Sequence, residues 1–340
     1  MPRLMLALSL ASLGAACAGN EPARAPAAPA PIEAAAPLGG AAALPASPPA
    51  SNADVVTDVA PDTTVRTAAE PSPATDPDPE TLATFRRILD GAAGEGVAAR
   101  PFGEIVQWVG EQLIGRPYTA GLLDAPETET LVVDLRQFDC VLYVENVIAL
   151  AQTIALGEAS YEDYAARVER LRYREGTLGG YCSRLHYFTD WIRDNEGRGA
   201  VRNVTREAGG ERFDKTLAFM SEHRDSYPKL EDDSAYACIV DMEAGLREVE
   251  LFYIPQSRIA GAYGALQAGD VIATATSIGG LDVTHTGFVH QTGAGTGFMH
   301  ASLSSNAVKV SPDLEAYVQG IQSQIGVVVA RPVDPRGIEG

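Results

Sequence analysis

An α+β fold is predicted by this sequence, with helices first and an antiparallel sheet last. Three observations carry the prediction. Apolar residues recur with helical spacing from Leu82 to about residue 247. From Val249 onward, short runs rich in β-branched residues alternate with Gly-, Ser- or Asn-bearing turns, and helices followed by a run of antiparallel strands is the α+β pattern. No aromatic residue precedes Phe85, so the folded part begins near Asp78.

Asp78-Pro79 pairs an N-cap side chain with proline at the first helical position. Leu82, Phe85, Ile88 and Leu89 then share one helical face. Phe102, Ile105, Val106, Val109, Leu113 and Ile114 form a second amphipathic helix ending at Gly115. The run Leu131–Leu135 is too short to assign. After Cys140, apolar residues at Val144, Val147, Ile148, Ala151 and Ile154 keep helical spacing to Gly157. Residues 158–247 read as mostly helical, with Ser160 and Asp163 as a capping box and Leu185, Phe188, Trp191 and Ile192 striping a later helix. The strands expected next are Val249–Ile254, Val271–Thr276, Val283–His290, Gly297–Ser302, Ala307–Val310 and Gln324–Ala330.

Upstream of Asp78 the chain reads as an address and a tether. Arg3, an apolar run from Leu4 and small residues up to Cys17 have the layout of a secretory signal over residues 1–16. Small residues ending at a cysteine resemble a bacterial lipoprotein signal, in which Cys17 is acylated; Leu13 sits four places before it rather than the usual three. The alternative is an ordinary signal cut near Ala16. Between residues 18 and 50, 22 of 33 residues are Ala or Pro, so residues 17–78 are expected to be a disordered tether. Export to the cell envelope follows, on the periplasmic face and held to the membrane by a lipid.

The 340 residues carry 45 acidic and 26 basic side chains, a formal net charge of −19. No basic field exists to attract a phosphate backbone, so nucleic acid is excluded as a partner. Four cysteines are too few and too far apart for a disulfide-built miniprotein or a CxxC zinc site.

Cys140, in Phe138-Asp139-Cys140-Val141, opens a helix. A thiol in the first helical turn lies at the positive end of the dipole, which favours the thiolate, and Asp139 can cap the same helix. The competing reading is a buried structural cysteine. The histidines bear on the choice. His285 and His300 lie on the two strands of an expected hairpin and can point to one sheet face, whereas His290, five residues beyond His285, points to the other. That placement disfavours a zinc site built from His285, His290 and His300. The glycine-rich turn TGAGTG joins two strands and opens no helix, so it is not a phosphate loop.

Cys140 in FDCV, His285 in THTGFV and His300 in MHAS stand in the order found in NlpC-type cell-wall cysteine peptidases, relatives of papain. PYTAGLLD (117–124), FDCVLYVEN (138–146), RLHYFTDWIRDN (184–195) and GLDVTHTGF (280–288) resemble more specifically the N-acetylmuramoyl-L-alanine amidase-like branch. The resemblance covers about residues 80–332. It implies a papain-like core with Cys140 at a helix N-terminus and a C-terminal antiparallel sheet or half-barrel, in a catalytic domain spanning 79–340. Cys140 would be the nucleophile, His285 its general base and His300 the residue that orients His285. Tyr118 matches a tyrosine that lines the active site in this superfamily. The long separation of Cys140 from His285 implies a helical insertion over about 158–247. Arg184 and His186 in that insertion are expected to join Tyr118 and Asp139 around the substrate; the alternative is a surface arginine and a packed histidine. Cys182 and Cys238 also lie there, and an oxidising periplasm allows them to pair.

The resemblance implies a peptidoglycan amidohydrolase that needs no metal or organic cofactor, with peptidoglycan or muropeptides as its partner. The amide between N-acetylmuramic acid and L-alanine is the first expectation, and cleavage of the stem peptide after D-glutamate the second. From other classes, a non-catalytic wall-binding lipoprotein and a thiol acyltransferase remain. In permuted acyltransferase relatives the histidine precedes the cysteine; here Cys140 comes first.

Overall fold

The computed structural model describes residues 74–337. The expected signal over residues 1–16, Cys17 and the expected tether up to residue 73 lie outside the described residues. Ala74, four residues before Asp78, is docked on the fold, its N–H donating to the Leu131 carbonyl at 2.8 Å.

Helix α1 (Pro79–Gly94) starts as expected, with the Asp78 side chain accepting from Glu80 N at 2.7 Å. Helix α2 (Phe102–Glu111) follows. Helix α3 (Cys140–Ala155) is buried on all sides rather than along a single stripe, apart from half-buried Val141. It is the hub of the larger core, between α2, helix α4 (Tyr161–Arg172) and the sheet. Two polar residues on its buried surface have partners: Glu145 accepts from Arg172 Nε at 2.7 Å, and Asn146 donates to the Leu142 carbonyl at 2.7 Å. The capping box of α4 forms, with Ser160 Oγ accepting from Asp163 N at 3.0 Å.

Helix α5 (Phe188–Gly197), short strands β1 (Val201–Asn203) and β2 (Glu211–Arg212), helix α6 (Phe219–Glu222) and helix α7 (Asp233–Leu246) complete the middle of the chain. This region is less purely helical than expected. Strand β3 (Phe252–Pro255), helix α8 (Ile259–Ala262) and strands β4 (Val271–Thr276), β5 (Val283–Thr292), β6 (Gly295–Ser302) and β7 (Ala307–Ser311) come next. Helix α9 (Leu314–Gln319) and β8 (Gln324–Pro332) close the fold. The antiparallel sheet runs β2-β3-β8-β4-β5-β6-β7, with β1 also paired to β8. The middle segment therefore contributes two strands to one end of the sheet. One sheet face carries Val271, Ala273, Phe288, Met299 and Ala301 against the helical core; the other carries Ile272, Val289, Phe298, Val327 and Val329 under α8 and α9.

The middle segment is fixed to the rest at named points. The Ala218 and Phe219 N–H groups both donate to the Gly280 carbonyl at 3.0 Å. Gly280 sits at φ +74°, and a Cβ there would lie 2.9 Å from Phe219 N, so only glycine fits. Within the segment itself, Cys182 and Cys238 form a disulfide with Cα atoms 6.0 Å apart across 56 residues of sequence. Closing a loop of that length restricts the unfolded chain, so the Cys182→Ser/Cys238→Ser variant is expected to lose about 2–4 kcal/mol in urea titration. An unchanged midpoint would show that the crosslink contributes nothing.

Candidate active site

The Asp139 carboxylate accepts from Leu142 N at 2.7 Å, which fixes the start of α3 and sets Cys140 as its first residue. The strip before the helix is held in place too: Phe138 N donates to Pro117 O at 3.0 Å and Thr119 N to Phe138 O at 2.9 Å. Tyr118 lies between these bonds, half-buried, and its own N–H reaches Asn306 O in the β6–β7 turn at 3.1 Å. The residue expected to line the site is thereby fastened beside both the cysteine strip and the end of β6.

Thr286 joins β5 to the start of α3. Its hydroxyl donates to the Cys140 carbonyl at 3.0 Å, and its amide and hydroxyl also act on the Cys140 sulfur, favouring the thiolate. The residue before it is His285. Pairing of β4 with β5 slips between Ala273↔Thr286 and Ala275↔Val283, so β5 carries one extra residue at Thr284-His285. A bulge breaks the strict alternation of side chains and re-aims them. His285 Nε2 lies 2.7 Å from His300 Nδ1, and His300 Nε2 lies 3.1 Å from Ser311 Oγ on β7. Phe298 stacks on the His300 ring at 4.6 Å, and Tyr317 of α9 lies 4.7 Å from it. Cys140, His285 and His300 are 7, 8 and 0 % exposed. His290 points to the other sheet face, as alternation requires, and its Nε2 lies 2.9 Å from Glu111 Oε1 on α2.

The electrostatics run against the expected thiolate. Burial, and then the adjacent Asp139 carboxylate, push the Cys140 thiol up to about 12. Burial also lowers His285 to about 4 and holds His300 well below the ordinary range. Asp139 itself is raised to about 6 by burial. Desolvation outweighs the helix dipole here and favours a neutral Cys140 thiol and a neutral His285 imidazole. Such a pair can still work as nucleophile and general base, provided the proton leaves sulfur as the bond to substrate forms.

Arg184 and His186 are placed differently. Arg184 is 2 % exposed and ion-paired with Asp124, with its Nε 3.5 Å from Glu129 Oε1. His186 Nε2 lies 2.8 Å from Tyr181 O, and burial, then Arg184, lower its pKa to about 3. Arg184 is thus not the surface arginine of the alternative reading, whereas His186 is the packed histidine that reading named. Arg184, with Tyr173 OH donating to Glu129 Oε1 at 2.9 Å and Lys229 Nζ donating to Glu127 O at 2.7 Å, clasps the 121–130 loop that follows Tyr118, while His186 packs against Tyr181 beside it. Three contributors escape a reading of the sequence: the Thr286 anchor, the bulge at His285, and Ser311. Only Ser311 left a signal, since alternation puts it on the same face of β7 as Lys309, the residue opposite His300.

Among curated proteins none matches the chain. Its structure is similar to that of an N-acetylmuramoyl-L-alanine amidase from Bacteroides uniformis ATCC 8492, with 30% sequence identity and a TM-score of 0.64 over 68% of this chain and 99% of that one. It is also similar to a Bacteroides fragilis protein described provisionally as a xylanase, at 30% identity and TM-score 0.61 over 66% and 99% of the two chains. A DUF1460 protein from Legionella pneumophila shares the fold at 18% identity and TM-score 0.54, over 75% and 95%. The family model described as AmiA-like, N-acetylmuramoyl-L-alanine amidase-like, matches residues 108–326, which include Cys140, His285 and His300. The chain therefore belongs to the AmiA-like, N-acetylmuramoyl-L-alanine amidase-like family.

Proposed function

We propose that the protein is an exported peptidoglycan amidase with an NlpC-type, papain-like core, cleaving the amide between the lactyl group of N-acetylmuramic acid and L-alanine. The observation that carries this reading is the chain of contacts from the start of α3 through Thr286 to the His285–His300 pair, within a member of this family. The Cys140 sulfur attacks the lactyl carbonyl while His285 takes the thiol proton. Collapse of the tetrahedral adduct breaks the C–N bond, and His285 returns the proton to the leaving L-alanine nitrogen. Water, deprotonated by His285, then hydrolyses the thioester and leaves the lactyl carboxylate on the sugar with Cys140 as the free thiol. A thiol and an imidazole supply this chemistry; a glycosidase would instead call on paired carboxyl groups. Export and an anchor at Cys17 are supported by the signal-like start of the chain, and the Cys182–Cys238 disulfide fits an oxidising compartment.

The test is product identification by mass spectrometry after incubation with peptidoglycan and soluble muropeptides, using the wild-type chain and its Cys140→Ala variant. Stem peptides with a free L-alanine amine, absent with the variant, are expected. Sugars still carrying L-alanyl-D-glutamate would identify a stem-peptide endopeptidase instead. No product from the wild type under reducing conditions would favour a wall-binding protein, and capture of the acyl group by an added amine a transferase.

A further inference from the structure

The proposed hydrolysis asks more of His285 than proximity to a thiol. Its Nε2 is engaged by His300, so Nδ1 is the nitrogen left to accept the thiol proton, and it must be bare. A neutral imidazole carries one proton, and which nitrogen holds it depends on the hydrogen bonds made by the other. We propose that Ser311 is a positioning residue that terminates the His285–His300 relay and holds His285 in the tautomer able to accept that proton. The inference rests on the Cys140–His285 reading above.

Two arrangements satisfy the observed distances. In the forward one, His285 Nε2–H donates to His300 Nδ1 and His300 Nε2–H donates to Ser311 Oγ, leaving His285 Nδ1 bare. In the reverse one, the Ser311 hydroxyl donates to His300 Nε2, His300 Nδ1–H donates to His285 Nε2, and the proton of His285 sits on Nδ1, where it blocks the chemistry. The forward arrangement needs an acceptor at the far end, and Ser311 Oγ, 3.1 Å from His300 Nε2, is that acceptor. Sheet register delivers it. His300 is opposite Lys309, and Ser311 is the diagonal neighbour two residues along on the same face.

Among the described residues, Ser311 Oγ is the hydrogen-bond partner of His300 Nε2. His300 is fully buried, Ser311 is 8 % exposed, and Phe298 and Tyr317 pack against the His300 ring. Without the hydroxyl, the forward arrangement buries an N–H with no acceptor, whereas the reverse one leaves only a bare lone pair. An orphaned buried donor is the costlier defect. Ser311→Ala therefore tips the pair toward the blocked tautomer, while Ser311→Thr keeps the oxygen.

The experiment is long-range 1H–15N spectroscopy of the full chain labelled at histidine nitrogen, with His285→Ala used to assign the signals. In the wild type, both His285 and His300 are expected to carry their proton on Nε2. In Ser311→Ala, the His285 proton is expected to move substantially to Nδ1, with kcat on muropeptides falling about 10-fold or more and KM unchanged. Ser311→Thr is expected to restore both readouts. A wild-type His285 protonated at Nδ1, or a Ser311→Ala spectrum with unchanged tautomers, would overturn the inference. If Ser311→Ala does not fold, the wild-type and Ser311→Thr spectra still decide. The spectra need no substrate, so the two readings fail separately. Forward tautomers in a protein without hydrolase activity would sink the amidase alone, and an active amidase whose tautomers ignore Ser311 would sink only this inference.

Discussion

Replacing His285 with alanine is expected to lower kcat by about 10²- to 10⁴-fold, and wild-type activity is expected to hold from about pH 5 upward and fall only as pH drops toward 4. Both follow from a neutral resting pair. His285 accepts the thiol proton only when it is itself unprotonated, and burial has moved its pKa from 6.5 to about 4. More than nine-tenths of the imidazole is then neutral one unit above that value, so the acid limb lies near 4. The thiol, at about 12, stays protonated across the neutral range. No second rise is expected through pH 9, and alkylation of free Cys140 by iodoacetamide should be slow at neutral pH. An acid limb between 6 and 7, or rapid alkylation at pH 7, would indicate a thiolate–imidazolium pair and defeat the neutral mechanism.

Unfolding at low pH must be separated from this loss. Between pH 6.5 and about 4 the unfolded chain binds protons that buried His186, His285 and His300 do not, so their contribution to stability declines as pH falls through that window. Asp139 runs the other way. Raised to about 6, it is protonated more readily when folded, and the stability it adds is present below about 4 and lost as pH rises through 6. Buried Glu145 and Asp282, also raised, act in the same direction as Asp139. Near-UV circular dichroism recorded beside each rate identifies the pH at which tertiary structure, rather than His285, is failing.

The parts of the fold legible in the sequence are those whose cause is local. Strand β4 was expected at Val271–Thr276 and ends at those residues, because a short β-rich run bounded by turn residues leaves little choice. The start of α3 was legible because Asp139 caps it through a contact three residues long. His285 and His300 could be placed together because a hairpin fixes which residues face each other. What escaped has tertiary causes. The two- and three-residue polar strands β2 and β1 carry no periodicity and exist because β3 and β8 offer partners. The Cys140 pKa was expected to fall because a helix start is visible in sequence, whereas the core that desolvates it is not. The all-round burial of α3 likewise depends on α4 packing over its polar residues. Arg184 illustrates the same limit, since a sequence shows a cation but not two carboxylates arriving 55 and 60 residues upstream.

That buried cation carries the second large effect. Arg184→Met is expected to cost about 3–5 kcal/mol in urea titration, because it leaves two carboxylates in the interior without their counter-charge. The Asp124 and Glu129 side chains are only 15 and 4 % exposed where they meet the guanidinium, which also lies 4.9 Å from the Tyr181 ring centroid. Arg184→Lys should recover only part of the loss, since a single ammonium cannot present the planar fork that spans both carboxylates and the ring. The decisive comparison adds Asp124→Asn and Glu129→Gln to Arg184→Met. Most of the cost of losing one partner of a buried pair is the charge left behind, so removing all three charges should be milder than removing Arg184 alone, an antagonism of at least 1–2 kcal/mol. If Arg184→Met loses less than about 1 kcal/mol, or the triple variant is simply additive, the clasp on the 121–130 loop is not what holds that wall. If the antagonism appears, the loop beyond Tyr118 is held to the middle segment by charge, and the triple variant becomes the means of asking whether catalysis at Cys140 needs that wall rigid.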